Sequence, residues 1–161
     1  MEEAYKSGKA RAIGVSNFYP DRFIDIAHFA EVKPAVNQVE NHIFQQQRTA
    51  RKYLAKCGTQ LMSWGPFAEG RNDFFNTPAL IEIGGKYGKT PAQTALRFLL
   101  QSGSVVIPKS VHENRMKENI DVFDFELTSD EMKQFEALDT GKSLFFSHHD
   151  PETVEWFMSI V

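Results

Sequence analysis

Short apolar runs alternate with helix-like stretches along the whole chain, and no linker-like segment separates them. Four runs have strand character: residues 10–17 (ARAIGVSN), 34–40 (PAVNQVE), 59–67 (TQLMSWGPF) and 104–110 (SVVIPKS). The helices between them are marked by their starts. Tyr19-Pro20 places proline at a first helical position before DRFIDIAHFA, and Thr77-Pro78 opens PALIEIGGKYG. Thr90-Pro91-Ala92-Gln93 combines an N-cap, an N1 proline and an N3 glutamine. Thr128 with Glu131 reads as a capping box, and so does Ser110 with Glu113. The opening MEEAYKSG reads as the tail of a helix, with Gly8 as its C′ residue. This alternation predicts βα units and a parallel sheet, an α/β fold. After Leu138 comes an aromatic-rich tail, DTGKSLFFSHHDPETVEWFMSIV, with a last helical turn predicted after Asp150-Pro151.

The chain has 161 residues, 42% of them hydrophobic, which suffices for one core and one domain. Four βα units are half of what a closed TIM barrel needs, and an open sheet of four strands leaves two edges unpaired. The 18 basic and 21 acidic residues give a net charge of -3, so neither nucleic acid nor an anionic membrane is an expected partner. Any anion site must be local. Cys57 is the single cysteine, the first residues are polar, and no apolar run reaches the roughly 20 residues of a membrane span. These features fit a soluble chain in a reducing, cytoplasmic setting.

One stretch stands against the acidic balance. In SVVIPKSVHENRMKEN a buried strand ends in Lys109 and Ser110, and a helix carrying Arg115 follows. Ser110 as a plain helix cap with solvated Lys109 and Arg115 is one reading. The other is an anion site, because the free N–H groups of a helix start, a lysine point charge and a guanidinium fork suit phosphate oxygens. The run GGKYGKT mimics a phosphate loop, but Gly84 stands one residue too close to Gly88-Lys89-Thr90 and follows a helix rather than a strand. No G-x-G-x-x-G occurs. Three other strand ends carry Ser16-Asn17, Asn37-Gln38 and Ser63-Trp64, which together offer amides, hydroxyls and a flat ring to a nicotinamide. The five histidines show no metal-ligand spacing, and no hydrolytic triad or carboxylate pair can be argued.

In combination, GKARAIGVSNF, AVNQVENH, LMSWGPF, SVVIPKSVHENRMKENIDVFDFELTSDEM and FFSHHDPETVEWF resemble the C-terminal half of an aldo-keto reductase, in its bacterial diketogluconate-reductase-like branch. The resemblance implies one partial domain over residues 1–161, carrying strands five to eight of a (β/α)8 TIM barrel, with 139–161 as the tail and substrate loop. It also implies an NADPH or NADP cofactor. Ser16, Asn17 and Gln38 would hold the nicotinamide carboxamide, and Trp64 would stack on its ring. Gly65, Pro66, Phe67 and Ala68 would follow the pyrophosphate. Lys109, Ser110, Val111, His112 and Arg115 would take the adenosine 2′-phosphate, and Glu118 with Asn119 the adenine. Leu144, Phe145, Phe146 and Trp156 would line a substrate pocket.

The family's catalytic Asp, Tyr, Lys and His lie on strands two to four and have no counterpart among these residues, so no catalytic residue is assigned. The implied reaction is reduction of an aldehyde or ketone, with the chain alone expected to be inactive. Two states of affairs fit this equally: a truncated fragment, or one part of a split enzyme completed by a second chain that supplies the N-terminal half. The alternative is a noncatalytic NADP-binding or interaction module built from a self-dimerised half barrel.

Overall fold

The computed structural model describes residues 1–160. Four strands, β1 (Gly14–Ser16), β2 (Val36–Glu40), β3 (Gln60–Trp64) and β4 (Val105–Val106), form one sheet in chain order, and every pairing is parallel. The helices are α1 (Glu2–Lys6), α2 (Pro20–Phe29), α3 (Arg48–Lys56), α4 (Pro78–Tyr87), α5 (Pro91–Gln101), α6 (Glu113–Ile120), α7 (Ser129–Glu136) and α8 (Pro151–Ser159). Every predicted strand is present, but β1 keeps only three residues near the end of its predicted run and β4 only two near the start of its own. Both are edge strands with a neighbour on one side only, and Pro108, which has no N–H to donate, follows closely on β4. None of the helices of the described residues is long and apolar enough to cross a membrane.

Register decides what faces what. Ser16 pairs with Gln38, Gln38 with Met62 and Met62 with Val105, so these four side chains form one row on one face of the sheet. On the opposite face Asn37, Val39, Leu61 and Ser63 are buried under the helices. Val39 and Leu61 pack with Phe23 and Ala27 of α2 and Ala50 and Leu54 of α3. A larger cluster joins Leu80 and Ile83 of α4, Leu96, Phe98 and Leu99 of α5 and Phe135 of α7. The row of Val105 is not covered in the same way: Val105 is 39% exposed, although it is an apolar strand residue.

Two helix starts behave as the sequence predicts. Thr90 and Thr128 each close a full capping box, with Gln93 and Glu131 as the reciprocal partners. The box predicted at Ser110 does not form. Helix α6 is capped by His112, which puts Glu113 at the first helical position rather than the third, and the Ser110 hydroxyl accepts the His112 N–H at 3.1 Å instead. Helix α3 carries no punctuation in the sequence, because its N-cap Gln47 enters with a left-handed backbone and no side-chain cap. The stretch Ala68–Asn76 is likewise unannounced, a run of tight turns with left-handed backbone at Glu69, Asn72 and Asp73.

Glu131 does more than cap. It is 5% exposed and accepts from the Tyr87 hydroxyl at 2.7 Å, Lys86 Nζ at 3.0 Å and the Thr128 N–H at 2.9 Å, so it joins α7 to the end of α4. Burial alone pushes this carboxyl up, but the hydrogen bonds from Tyr87, Thr128 and Lys86 outweigh it and hold the group at about 2 against an ordinary 4.5. A carboxyl depressed in the folded state stabilises above its unfolded value, and that contribution is lost as pH falls from 4.5 toward about 2. Glu131→Gln should therefore cost roughly 1–3 kcal/mol at neutral pH by urea denaturation, and the gap to the parent should close below pH 4.5.

Adjacent glycines in α4 make a second test. A Cβ on Gly84 would lie 2.5 Å from Thr94 Oγ1 and 2.7 Å from the Lys89 carbonyl oxygen, while one on Gly85 meets nothing within 4 Å. Gly84→Ala should destabilise by roughly 1–3 kcal/mol through overpacking. Gly85→Ala should stabilise by about 0.5–1 kcal/mol through helix propensity, so the two midpoints should move in opposite directions.

Candidate functional site

The C-terminal ends of four parallel strands necessarily share one side of the sheet, and two clefts open there. One, of about 570 Å³, lies between the loop after β4, the start of α6, the start of α5 and the turn after β3. Eight of the fifteen residues expected to hold the nucleotide line it: Phe67, Lys109, Ser110, Val111, His112, Arg115, Glu118 and Asn119. Arg115, Glu118 and Asn119 come together because spacings of three and four put them on one face of α6. Among the described residues neither Lys109 nor Arg115 belongs to an ion pair, although Lys117 on the same helix pairs with Glu113. The cleft thus holds two cations outside any ion pair, with the carboxylates of Glu69 and Glu118 also on its wall, and a helix start without a side-chain cap, groups that can meet an anion.

Lys89, the lysine of GGKYGKT, is different. It sits 2.8 Å from both Asp121 and Asp124, with 8% of its side chain exposed, and Thr90 is occupied in capping α5. The structure makes this run a helix end, a left-handed Gly88 and the next N-cap, with no phosphate cradle.

The second cleft, of about 840 Å³, is lined by Asn17, Tyr19, Glu40, Trp64 and the tail residues Leu144, Phe145 and Phe146 among others. Asn17 has a left-handed backbone, φ 58°, which points its side chain back across the sheet, and its Oδ1 accepts the Trp64 indole N–H at 2.7 Å. This bond fixes the ring. Phe146 lies nearly parallel to Trp64, 5.8 Å between centroids and 19° between planes, and Phe145 meets the indole edge-on at 5.1 Å and 70°. Ser16 Oγ donates to the Gln38 carbonyl at 3.1 Å, and the Asn17 N–H reaches the same oxygen at 2.9 Å, so Ser16, Asn17 and Gln38 are adjacent. The Gln38 amide itself touches only the Met62 sulfur at 3.3 Å, a weak acceptor.

One segment links the clefts. Trp64 lines the second and Phe67, three residues on, lines the first; Gly65 between them has φ 59° and faces Phe145, while Pro66 is buried. Ser16, Gln38, Gly65, Pro66 and Ala68 line neither cleft. Trp156 does not line the tail cleft as expected: it is 57% exposed, because α8 turns Phe157 inward onto Phe146 and His148. Two contributors escape sequence reading. The start of α5 at Thr90 and Pro91 faces the anion cleft, and Glu40 with His42 forms a buried pair at 2.9 Å beneath the tail. No cluster of metal-ligating side chains occurs among the described residues.

The family model for the Aldo/keto reductase family matches residues 1–140. Glyoxal reductase of Bacillus subtilis is 44% identical over 138 residues, covering 86% of this chain and 49% of that protein. Methylglyoxal reductase DkgA of Escherichia coli K12 is 42% identical over 144 residues, covering 89% and 52% respectively. The chain spans about half the length of the curated relatives it matches. Among solved structures, the aldo-keto reductase MGS-M4 from a deep-sea metagenome superimposes with TM-score 0.89 at 36% identity, over 92% of this chain and 55% of that one. A Gox0644 variant in complex with NADPH gives TM-score 0.83 at 40% identity, over 88% of this chain and 52% of its own. By the family match over its first 140 residues, the chain belongs to the aldo/keto reductase family.

Proposed function

We propose that residues 1–161 are a single partial domain, strands five to eight of a (β/α)8 barrel, and that they form the nucleotide-holding part of an NADPH-dependent carbonyl reductase. The observation that carries this reading is the Trp64–Phe67 segment, which joins an aromatic cleft at one end to a cationic cleft at the other. A dinucleotide needs that layout, a platform for a ring and charge for phosphate at a distance. Relatives solved with NADPH, and others named as glyoxal and methylglyoxal reductases, support the cofactor and the substrate class, a small aldehyde or ketone.

The residues fit such a cofactor. Trp64 is clamped by Asn17 and offers an indole face, Ser16, Asn17 and Gln38 lie beside it with amide and hydroxyl groups, and the Gln38 amide has no strong partner to give up. Gly65 and Phe67 would follow the pyrophosphate. Lys109, Ser110, Val111, His112 and Arg115 would hold the 2′-phosphate, and Glu118 and Asn119 would meet the adenine. When bound, the reduced nicotinamide supplies the hydride. These residues bind and orient; the acid that protonates the carbonyl oxygen belongs to the family's strands two to four, so the chain alone is inactive. Residues 139–161 would close over the substrate side. The compartment consistent with this chemistry and with the bacterial relatives is the cytoplasm.

A second reading rests on one feature, the exposed Val105 in the open row of the sheet, with Ile107 beyond it 44% exposed. Two copies could cover these faces mutually, giving a noncatalytic NADP-binding dimer. Sedimentation separates the two: a compact dimer that binds NADPH favours it.

Calorimetric titration tests the main reading. NADPH should bind saturably and more tightly than NADH, and absence of NADPH binding to the folded chain would refute the assignment. Arg115→Met should weaken NADPH by about 10–150-fold, the roughly 1.5–3 kcal/mol of a charged hydrogen bond, and leave NADH unchanged. Equal losses for both nucleotides would place the phosphate elsewhere.

A further inference from the structure

The motif AVNQVENH contributes Gln38 to the proposed ring site, but the same strand end carries Glu40, two residues on and on the same face. Glu40 is 5% exposed. Its carboxylate receives the Ser143 hydroxyl at 2.5 Å, the Leu144 N–H at 2.9 Å and His42 Nε2 at 2.9 Å. His42 is fully buried, and its Nδ1 accepts the Phe44 N–H at 3.2 Å. The proton of a neutral imidazole therefore sits on Nε2 and is donated to Glu40.

Ser143 is the next link. Its oxygen accepts the Phe145 N–H at 3.0 Å and the Phe146 N–H at 3.1 Å, so its own hydrogen is committed to Glu40. The turn that results carries Phe145 and Phe146 onto Trp64. A buried carboxylate is costly unless its acceptor sites are filled, and a neutral amide of the same size could not replace it. Glutamine has one acceptor oxygen, and its NH2 would face donors.

We propose that Glu40 is a positioning residue: from the end of β2 it holds the Ser143–Phe146 turn, and through that turn it fixes the two phenylalanine rings on Trp64. The clamp controls how much of the indole is open to a flat ligand. Its existence does not depend on which nucleotide binds; only this last consequence rests on the function proposed above. Burial pushes the Glu40 carboxyl up, and the donors His42, Ser143 and Leu144 outweigh it and hold the group below the usual carboxylate range.

Amide hydrogen exchange on the 161-residue chain tests the clamp without any ligand. In Glu40→Gln the amides of Leu144, Phe145 and Phe146 should exchange about tenfold faster or more, while those of Leu96 and Leu99 in α5 keep their protection. In a Trp156→Phe background, where Trp64 is the single indole, its emission should shift to the red in the same variant. Ser143→Ala should release Phe145 and Phe146 by a comparable factor but leave Leu144 protected, because the Leu144 bond to Glu40 is untouched. Unchanged tail protection in Glu40→Gln overturns the proposal, and so does equal loosening of α5 and the tail. Should Glu40→Gln not fold, Ser143→Ala decides alone, and protected Phe145 and Phe146 amides sink the clamp. A failed nucleotide titration would refute the cofactor assignment and leave this result standing.

Discussion

In-step parallel pairing of the strands is the constraint from which the rest follows. Because β2 lies between β1 and β3 with all three chains running the same way, Ser16, Gln38 and Met62 share a row, and the residues after each strand emerge on one side. Asn17, Glu40, Trp64 and Lys109 lie up to 92 residues apart, yet the register brings them to a common rim. Shifting one strand by a single position would turn Gln38 into the helix-covered face and expose Val39 in its place. The helices packed on Asn37, Val39, Leu61 and Ser63 forbid that slip.

Charge follows a similar economy. The buried carboxylates of Glu40 and Glu131 have their acceptor sites filled, and Lys89 is neutralised by two aspartates. Arg51, half-buried, gives its guanidinium to the carbonyls of Gln46 and Ser102. Against this background the unpaired Lys109 and Arg115 stand out. Neither has given its charge to a protein partner, so both remain available to an anion.

The sheet was legible because its signals are local. Period-two alternation, prolines at helix starts and the Thr128–Glu131 capping box need no knowledge of distant residues, and β1 to β4, α2, α4, α5 and α7 follow from them. Helix α3 was illegible because Gln47 enters it through a left-handed backbone without a capping side chain. At Ser110 the local pattern misled: a serine three residues before a glutamate satisfies the box on paper, but the chain does not turn helical until Glu113. The grouping of Lys109, Ser110 and Arg115 could be argued from residue types alone, whereas the joining of Glu40 to Ser143 could not. That contact has no periodicity and no motif, and only the folded register of the sheet relative to the tail creates it.

The Glu40–Ser143 bond spans 103 positions of sequence. During synthesis Glu40, His42 and Trp64 are all made long before the serine that completes their surroundings. Until then the carboxylate lacks two of its three donors and the indole lacks its aromatic cover. The strands can pair and the two apolar clusters can begin to assemble, but the aromatic cleft acquires its shape last, when the final stretch of chain returns across the rim.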